Sequence, residues 1–241
     1  MWPFSSKKTP SPFKVGPFKP APKGPPLGDE DRQIVDRFHD LYYRRWFQGG
    51  QTISIGWLGH ETLKCPMDLW LYQELIVSRR PDVIVETGTR FGGSALFMAS
   101  VCDQMGHGRV LSVDIDESLV SIRPVHDRIT YLNGSSLDEK LLAGIRETVG
   151  DGRCLVILDS DHSRDHVLAE LRAYSPLVKP GDYLIVEDTN VNGHPTLPDF
   201  GPGPMEALEA FLAETEDFVS DPACERFLMT LNPKGYLKRR G

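Results

Sequence analysis

Two stretches of this sequence bring reactive side chains together at useful spacings. In the first, Leu155-Val156-Ile157-Leu158 runs into Asp159-Ser160-Asp161-His162, and Leu184-Ile185-Val186 runs into Glu187-Asp188. Each acid group closes an apolar run, so each stands where a buried strand ends. Carboxylates converging from neighbouring strand ends repel one another unless a cation sits among them. Oxygen donors favour a hard ion, Mg²⁺ first, with Mn²⁺ or Ca²⁺ as alternatives. Asp159, Glu187 and Asp188 are the candidate metal ligands, and Asp161 competes for the place of Asp159. His162 is the candidate general base, because an imidazole titrates near neutral pH. Such a centre would hold hydroxyl oxygens and ease proton loss from one of them. The plainer alternative is that the acids only cap the following helix and loop, as Asp161 or Ser163 could do.

The second stretch, Glu86-Thr87-Gly88-Thr89-Arg90-Phe91-Gly92-Gly93-Ser94, follows the apolar Val83-Ile84-Val85. A dinucleotide turn would need glycine at position 90, where this chain has arginine, so a nicotinamide cofactor is the weaker reading. The spacing suits S-adenosylmethionine, whose amino acid end can meet backbone groups and the Ser94 hydroxyl. Glu86, Gly88, Thr89, Gly92 and Ser94 are the candidate contacts, with Asp159 beside the same ligand. Two later strand exits add to them. Asp114 ends Val110-Leu111-Ser112-Val113 and is placed to accept ribose hydroxyls, with Asp116 as its competitor, while Ser135 and Ser136 would flank an adenine.

The elements that must position these groups follow from hydrophobic periodicity. Strands are predicted at 83–85, 110–113, 129–132, 154–158 and 183–186, alternating with helices at 94–101, 117–122, 137–149 and 166–175. A helix at 205–214, strands at 218–220 and 227–231, and a turn at 232–235 complete the pattern. Continuous apolar strands between amphipathic helices describe an α/β fold: a doubly wound, mostly parallel, Rossmann-like sheet with a C-terminal antiparallel hairpin strand. Two further helices precede it, at 29–47 and 67–78, the first with Ile34, Val35, Phe38, Leu41, Tyr42 and Trp46 at helical spacing. Three parts result: a Pro/Lys-rich flexible arm at 1–28, helices and an acceptor-side lead-in at 29–80, and the core at 81–241.

Composition narrows the partners. The chain of 241 residues has a formal charge of −7, and because its first 28 residues hold five lysines and no acid, the rest carries −12. An acidic body argues against nucleic acid and for a small-molecule ligand. No apolar run approaches the ~20 residues of a membrane span, so a cytoplasmic location is expected. Cys65, Cys102, Cys154 and Cys224 lack zinc spacing and read as reduced structural thiols.

Taken together, VETGTRFGGSALF, LSVDID, LDSDHSRDHVLAEL, GDYLIVEDT and LNPKGYLKRR resemble the cephalosporin hydroxylase family, as does the lead-in WLGxExxKCPxD from Trp57 to Asp68. Despite its name, that family belongs with the class I S-adenosylmethionine-dependent methyltransferases. The pattern is also similar to the Mg²⁺-dependent macrolide sugar O-methyltransferases and, more distantly, to catechol O-methyltransferase. The resemblance implies metal for Asp159, Glu187 and Asp188, a general base in His162, cofactor contacts at Gly88, Ser94 and Asp114, and an adenine-side contact at Ser136. The expected activity is S-adenosylmethionine- and Mg²⁺-dependent O-methylation of a sugar or polyhydroxylated natural product. A non-catalytic accessory subunit that binds the same cofactor and a nicotinamide-dependent oxidoreductase are the alternatives. The acceptor would lie against 51–68 and 190–204, with Trp57, His60 and His194 as contacts. Relatives of this kind often assemble, so a homo-oligomer is expected, with the phenylalanines of the arm as a means of docking.

Overall fold

The computed structural model describes residue 16, residues 27–47 and residues 53–241. Apart from Gly16, Leu27 and Gly28, the arm read at 1–28 lies outside the described residues. The first helix, α1 (Asp29–Phe47), opens on Asp29, Glu30 and Asp31 and closes on Arg44 and Arg45, a charge order that complements the helix dipole. A small hairpin, β1 (Gly56–Trp57) and β2 (His60–Glu61), leads into α2 (Pro66–Arg79), where proline supplies a preset φ at the helix start.

The core then alternates: β3 (Val83–Thr87), α3 (Gly93–Met105), β4 (Val110–Asp114), β5 (Ile129–Asn133), α4 (Glu139–Val149), β6 (Cys154–Leu158), α5 (Arg164–Tyr174) and β7 (Tyr183–Val186). It closes with α6 (Pro204–Glu214), β8 (Phe218–Ser220) and β9 (Tyr236–Arg239). The seven-stranded sheet runs β5-β4-β3-β6-β7-β9-β8, parallel from β5 to β7, with β9 antiparallel to both of its neighbours. Strand order reverses between β3 and β6, which opens a crevice beyond their carboxyl ends.

Alternation along each strand feeds two cores, one on each face. Val83, Val85, Val156, Leu158, Leu184 and Val186 pack with Leu142, Leu171 and Leu208 of α4, α5 and α6. Ile84, Leu155, Ile157 and Ile185 pack on the other face with Leu75, Ile76 and Met98 of α2 and α3. Each such buried aliphatic side chain contributes roughly 1.5–3 kcal/mol, so packing fixes the strand exits to which the polar residues are attached. All four cysteines are buried and free of disulfides. Among the described residues, no helix is long and apolar enough to cross a membrane.

Two expected elements are absent. The helix read at 117–122 is a single 3₁₀ turn, Val120–Ile122, whose Val120 and Ile122 stay exposed. Asp116 ties back the amide of Ser118, and Arg123 is drawn under the loop after β3, so the chain turns before a helix can form. The strand read at 227–231 is irregular, because the Thr230 hydroxyl and the Leu231 amide bond Asp68 of α2. The sheet takes Tyr236–Arg239 instead, after the turn expected at 232–235.

Candidate active site

The exits of β3, β4, β5 and β6 enclose a cavity of about 520 Å³, walled by Gly88, Thr89, Gly92, Ser94, Asp114, Ser135, Ser136, Asp159, His162 and Asp188 among others. Glycine at two of the loop positions makes room for protein. Gly88 has φ +85°, and a Cβ there would lie 1.8 Å from the carbonyl oxygen of Asp159, while one on Gly93 would lie 2.1 Å from the carbonyl of Glu61. The loop is therefore pressed against β6 on one side and the β2 lead-in on the other. Arg90, at the position where a dinucleotide turn has glycine, takes φ +44°.

Hydrogen bonds fix the rest of this wall. Ser112 donates to Glu86 Oε2 at 2.7 Å, which leaves Thr89 as donor in its own 2.7 Å bond to Ser112. Glu86 is fully buried beneath the loop, off the cavity wall, so the structure places it as a support for Thr89 and Ser112. Asp114 Oδ2 accepts the amide of Arg90 and the guanidinium of Arg123, and Oδ1 accepts the amide of Asp116. Arg123 also donates to the carbonyls of Arg90 and Asp116, which clamps the exits of β3 and β4 together. The Ser136 hydroxyl meets His166 Nε2 at 3.2 Å, and Ser135 receives the amide of Leu137.

At the other end of the cavity Asp159, His162 and Asp188 converge, with ligand-type atoms of all three within 4.8 Å of one another. His162 Nε2 lies 3.3 Å from Asp159 Oδ1 and 3.2 Å from Asp188 Oδ2. Burial alone would lower this imidazole, but the charge of Asp188 and the bond to Asp159 outweigh it and hold His162 up to about 9. Asp188 has φ +53°, uncommon for a side-chain-bearing residue, and its amide is held by Asn232 Oδ1 at 3.0 Å. Asp161 turns its carboxylate onto the Ser163 amide at 2.7 Å and stands outside this cluster.

Glu187 differs from the sequence expectation in its direction. Its Oε1 takes the Tyr72 hydroxyl at 2.7 Å and the Lys64 ammonium at 2.5 Å, on the buried side of the acid pair. Lys64, 3% exposed, also contacts Asp159 Oδ2 and so bridges the two acids. Burial by itself would discharge this lysine, but Asp159 and Glu187 outweigh it and raise its affinity for the proton. Burial also pushes Glu187 up, to about 8, with repulsion from Asp159 and Asp188 adding to it. A second network backs the first: Asn232 Nδ2 donates to Tyr72, and Asp68 collects Thr230, Tyr236 and the Leu231 amide.

Lys64, Tyr72, Asp68, Asn232 and Arg123 are the residues that sequence reading leaves without a role. Lys64 carried a signal, a lysine between Leu63 and Cys65 directly before a helix start. Three expected acceptor contacts lie elsewhere. Trp57 bonds Ser100 and meets Phe97 edge to face, and His194 bonds Glu206 at the start of α6. His60 sits in the β1–β2 hairpin, off the cavity wall. From the described part of the lead-in, Glu61, Leu63 and Lys64 reach the wall, while 190–204 packs outside it.

The family profile described as "Rhamnosyl O-methyltransferase/CmcI" matches residues 50–240. A rhamnosyl O-methyltransferase of Mycobacterium leprae (strain TN) is 40% identical over 212 residues, covering 86% of this chain and 91% of that one. A rhamnosyl O-methyltransferase of Mycobacterium tuberculosis (strain H37Rv) is 39% identical over 204 residues, covering 82% and 83%. Among solved structures, CmcI with Mg and SAM superposes with a TM-score of 0.61 at 22% identity, covering 97% of this chain and 92% of that one. The O-methyltransferase TomG from Streptomyces achromogenes gives 0.55 at 19% identity, covering 89% and 92%. These two likenesses confirm the fold, while the profile and the mycobacterial relatives set the kinship: the chain belongs to the rhamnosyl O-methyltransferase/CmcI family and is an O-methyltransferase.

Proposed function

We propose that this chain transfers the methyl group of S-adenosylmethionine to a sugar hydroxyl, with Mg²⁺ held by Asp159 and Asp188. The observation that carries this reading is a single cavity with a nucleoside-type wall at one end and two acids and an imidazole at the other. Its volume falls within the ~300–1,000 Å³ of small-molecule sites. The donor set fits the ion, since Mg²⁺ is commonly held by one or two carboxylates and completed by water and substrate. Bound there, Mg²⁺ supplies a positive charge that draws hydroxyl oxygens and lowers their pKa.

The residues of the chain do the rest. Gly88, Thr89 and Ser94 receive the amino acid end of the donor, Asp114 accepts from its ribose, and Ser135 and Ser136 border its base. Asp114 has Oδ1 engaged by one amide only, which leaves that oxygen able to accept from a ribose hydroxyl. His162 stands between the acids, and once they are engaged elsewhere it loses the partners that hold its proton. Its Nε2 can then take the acceptor's hydroxyl proton as the methyl group passes from sulfur to oxygen. Glu187, Lys64 and Tyr72 keep Asp159 and Asp188 in position. Rate enhancement comes mainly from orienting donor and acceptor.

The test is a methyl-transfer assay with labelled S-adenosylmethionine over rhamnosides, other glycosides and catechols, with and without EDTA. Turnover of a glycoside that EDTA abolishes and Mg²⁺ restores is expected, with a loss of about a hundredfold or more in His162→Ala. Turnover indifferent to EDTA would overturn the metal assignment. Calorimetric binding of NAD in place of S-adenosylhomocysteine would overturn the donor.

A further inference from the structure

The cavity wall beside Ser136 is backed by a cluster that methyl transfer leaves without a role. His166, in the first turn of α5, has its Nε2 3.1 Å from the Ser160 hydroxyl and 3.2 Å from the Ser136 hydroxyl. Behind them stands Glu170, one helical turn further along α5 and fully buried. Its Oε1 takes the Ser160 hydroxyl at 2.8 Å and lies 3.5 Å from the same Nε2. The other oxygen, Oε2, is buried with no hydrogen-bond partner among the described residues. Ser136, Ser160 and His166 line the cavity, and Glu170 does not. The backbone on this side is pinned as well, since the Tyr174 hydroxyl donates to the carbonyl of Ser136 at 2.7 Å.

The direction of each bond in this cluster follows from the protons available. A carboxylate only accepts, and a serine hydroxyl has one proton to give. Ser160 therefore spends its proton on Glu170 and can only accept from His166. Nε2 must then carry a hydrogen, because two lone pairs facing each other at 3.1 Å would repel. The Ser136 oxygen shares that hydrogen at nearly the same distance, so Ser136 is an acceptor on this side too. Its own proton is left over. Ser136 is 6% exposed, and its hydroxyl has no other partner among the described residues, so the proton has only the cavity to turn to. The hydrogen bond to Glu170 also holds the His166 imidazole above its ordinary pKa, against the opposing effect of burial.

We infer that His166, oriented by Glu170 through Ser160, turns the Ser136 hydroxyl proton toward the ligand, so that the base of the methyl donor is recognised through the lone pair of a ring nitrogen. Adenine offers such a lone pair at N1, N3 and N7. Ser136 touches the base, whereas His166 and Glu170 are positioning residues that act through it. The inference rests on the methyl-donor reading of the cavity and adds how its base end is read. A base that presents a hydrogen at this point leaves the Ser136 proton buried and unpaired, which costs more than the hydrogen bond itself is worth.

Calorimetric titration of the full chain with S-adenosylhomocysteine and its 1-deaza, 3-deaza and 7-deaza analogues tests the inference, since each analogue replaces one ring nitrogen by C–H. In the wild type one analogue is expected to bind about tenfold more weakly than the parent, and the other two nearly as well. In Ser136→Ala that ratio should fall to about one, and in His166→Leu, where nothing holds the Ser136 proton on the cavity side, to about threefold or less. Nitrogen NMR of histidine-labelled protein, assigned with His166→Gln, should show hydrogen on Nε2 of His166 with and without ligand, a signature that a merely structural role would not require. A wild type that binds the parent and all three analogues alike would overturn the inference. So would a ratio unchanged in Ser136→Ala or in His166→Leu, or an Nε2 without hydrogen. Failure of the folded wild type to bind the parent compound at all would overturn the methyl-donor reading, and this inference with it.

Discussion

The two ends of the cavity are built by different means. At the end proposed for the donor, the wall groups belong to three successive strand exits and are held by short hydrogen bonds among near neighbours in the sheet, Arg90 to Asp114 and Thr89 to Ser112. At the end proposed for the acceptor, Asp159, Glu187 and Asp188 are close enough to repel, and what restrains them comes from far along the chain: Lys64, Tyr72 and Asn232. The first end is a product of strand order, whereas the second must also be neutralised. Removing one partner should therefore disturb the donor end locally and the acceptor end at the level of the whole fold.

The largest effect is expected at Lys64. Lys64→Met leaves Asp159 and Glu187 facing each other with their buried counter-charge gone, and breaking such a pair costs about 3–5 kcal/mol. Urea unfolding in EDTA measures it, and a loss below about 1 kcal/mol would erase the distinction between the two ends. Next comes Gly88→Ala, at the seam between them. Its left-handed backbone alone costs ~1–3 kcal/mol, and the new methyl group must displace the carbonyl of Asp159. Weaker binding of S-adenosylhomocysteine together with reduced turnover is expected, and loss of only one of the two would show the ends to be independent.

The smallest effect belongs to Glu206, in the first turn of α6 and off the cavity wall. Burial would raise its carboxyl, but the Gly203 amide, Asn192 and His194 outweigh that and hold it near 2, against an ordinary 4.5. A carboxylate depressed on folding stabilises the protein above its unfolded pKa, and that contribution is lost as pH falls through the folded value. Thermal melting between pH 4.5 and 2 should thus fall less steeply in Glu206→Gln than in the wild type. Stability at pH 7 should drop by roughly 1 kcal/mol, with donor binding unchanged.

The same contrast explains what the sequence disclosed. The strand exits could be read because apolar runs mark buried strands, and Gly88, Ser94, Asp114, Ser136, Asp159 and Asp188 are all found on the cavity wall. The direction of Glu187 could not be read, since it depends on Lys64 and Tyr72, more than a hundred residues earlier. Periodicity also misjudged 117–122 and 227–231, where the decisive bonds run to Arg90 and to Asp68. In both segments a tertiary partner overrides local propensity. On α1 the apolar spacing was right about the helix and silent about which of its residues would stay exposed, among them Ile34, Phe38 and Leu41.

The place of β9 in the sheet has a consequence for how the fold is completed. Asn232 and Tyr236, which steady Tyr72, Asp68 and the amide of Asp188, follow every residue of the cavity wall in the chain. A domain folds as a unit, so the loops at the strand exits and the distant segment that backs the acids must come together in one event. The step that seats β9 beside β7 is therefore also the step that readies the acidic centre.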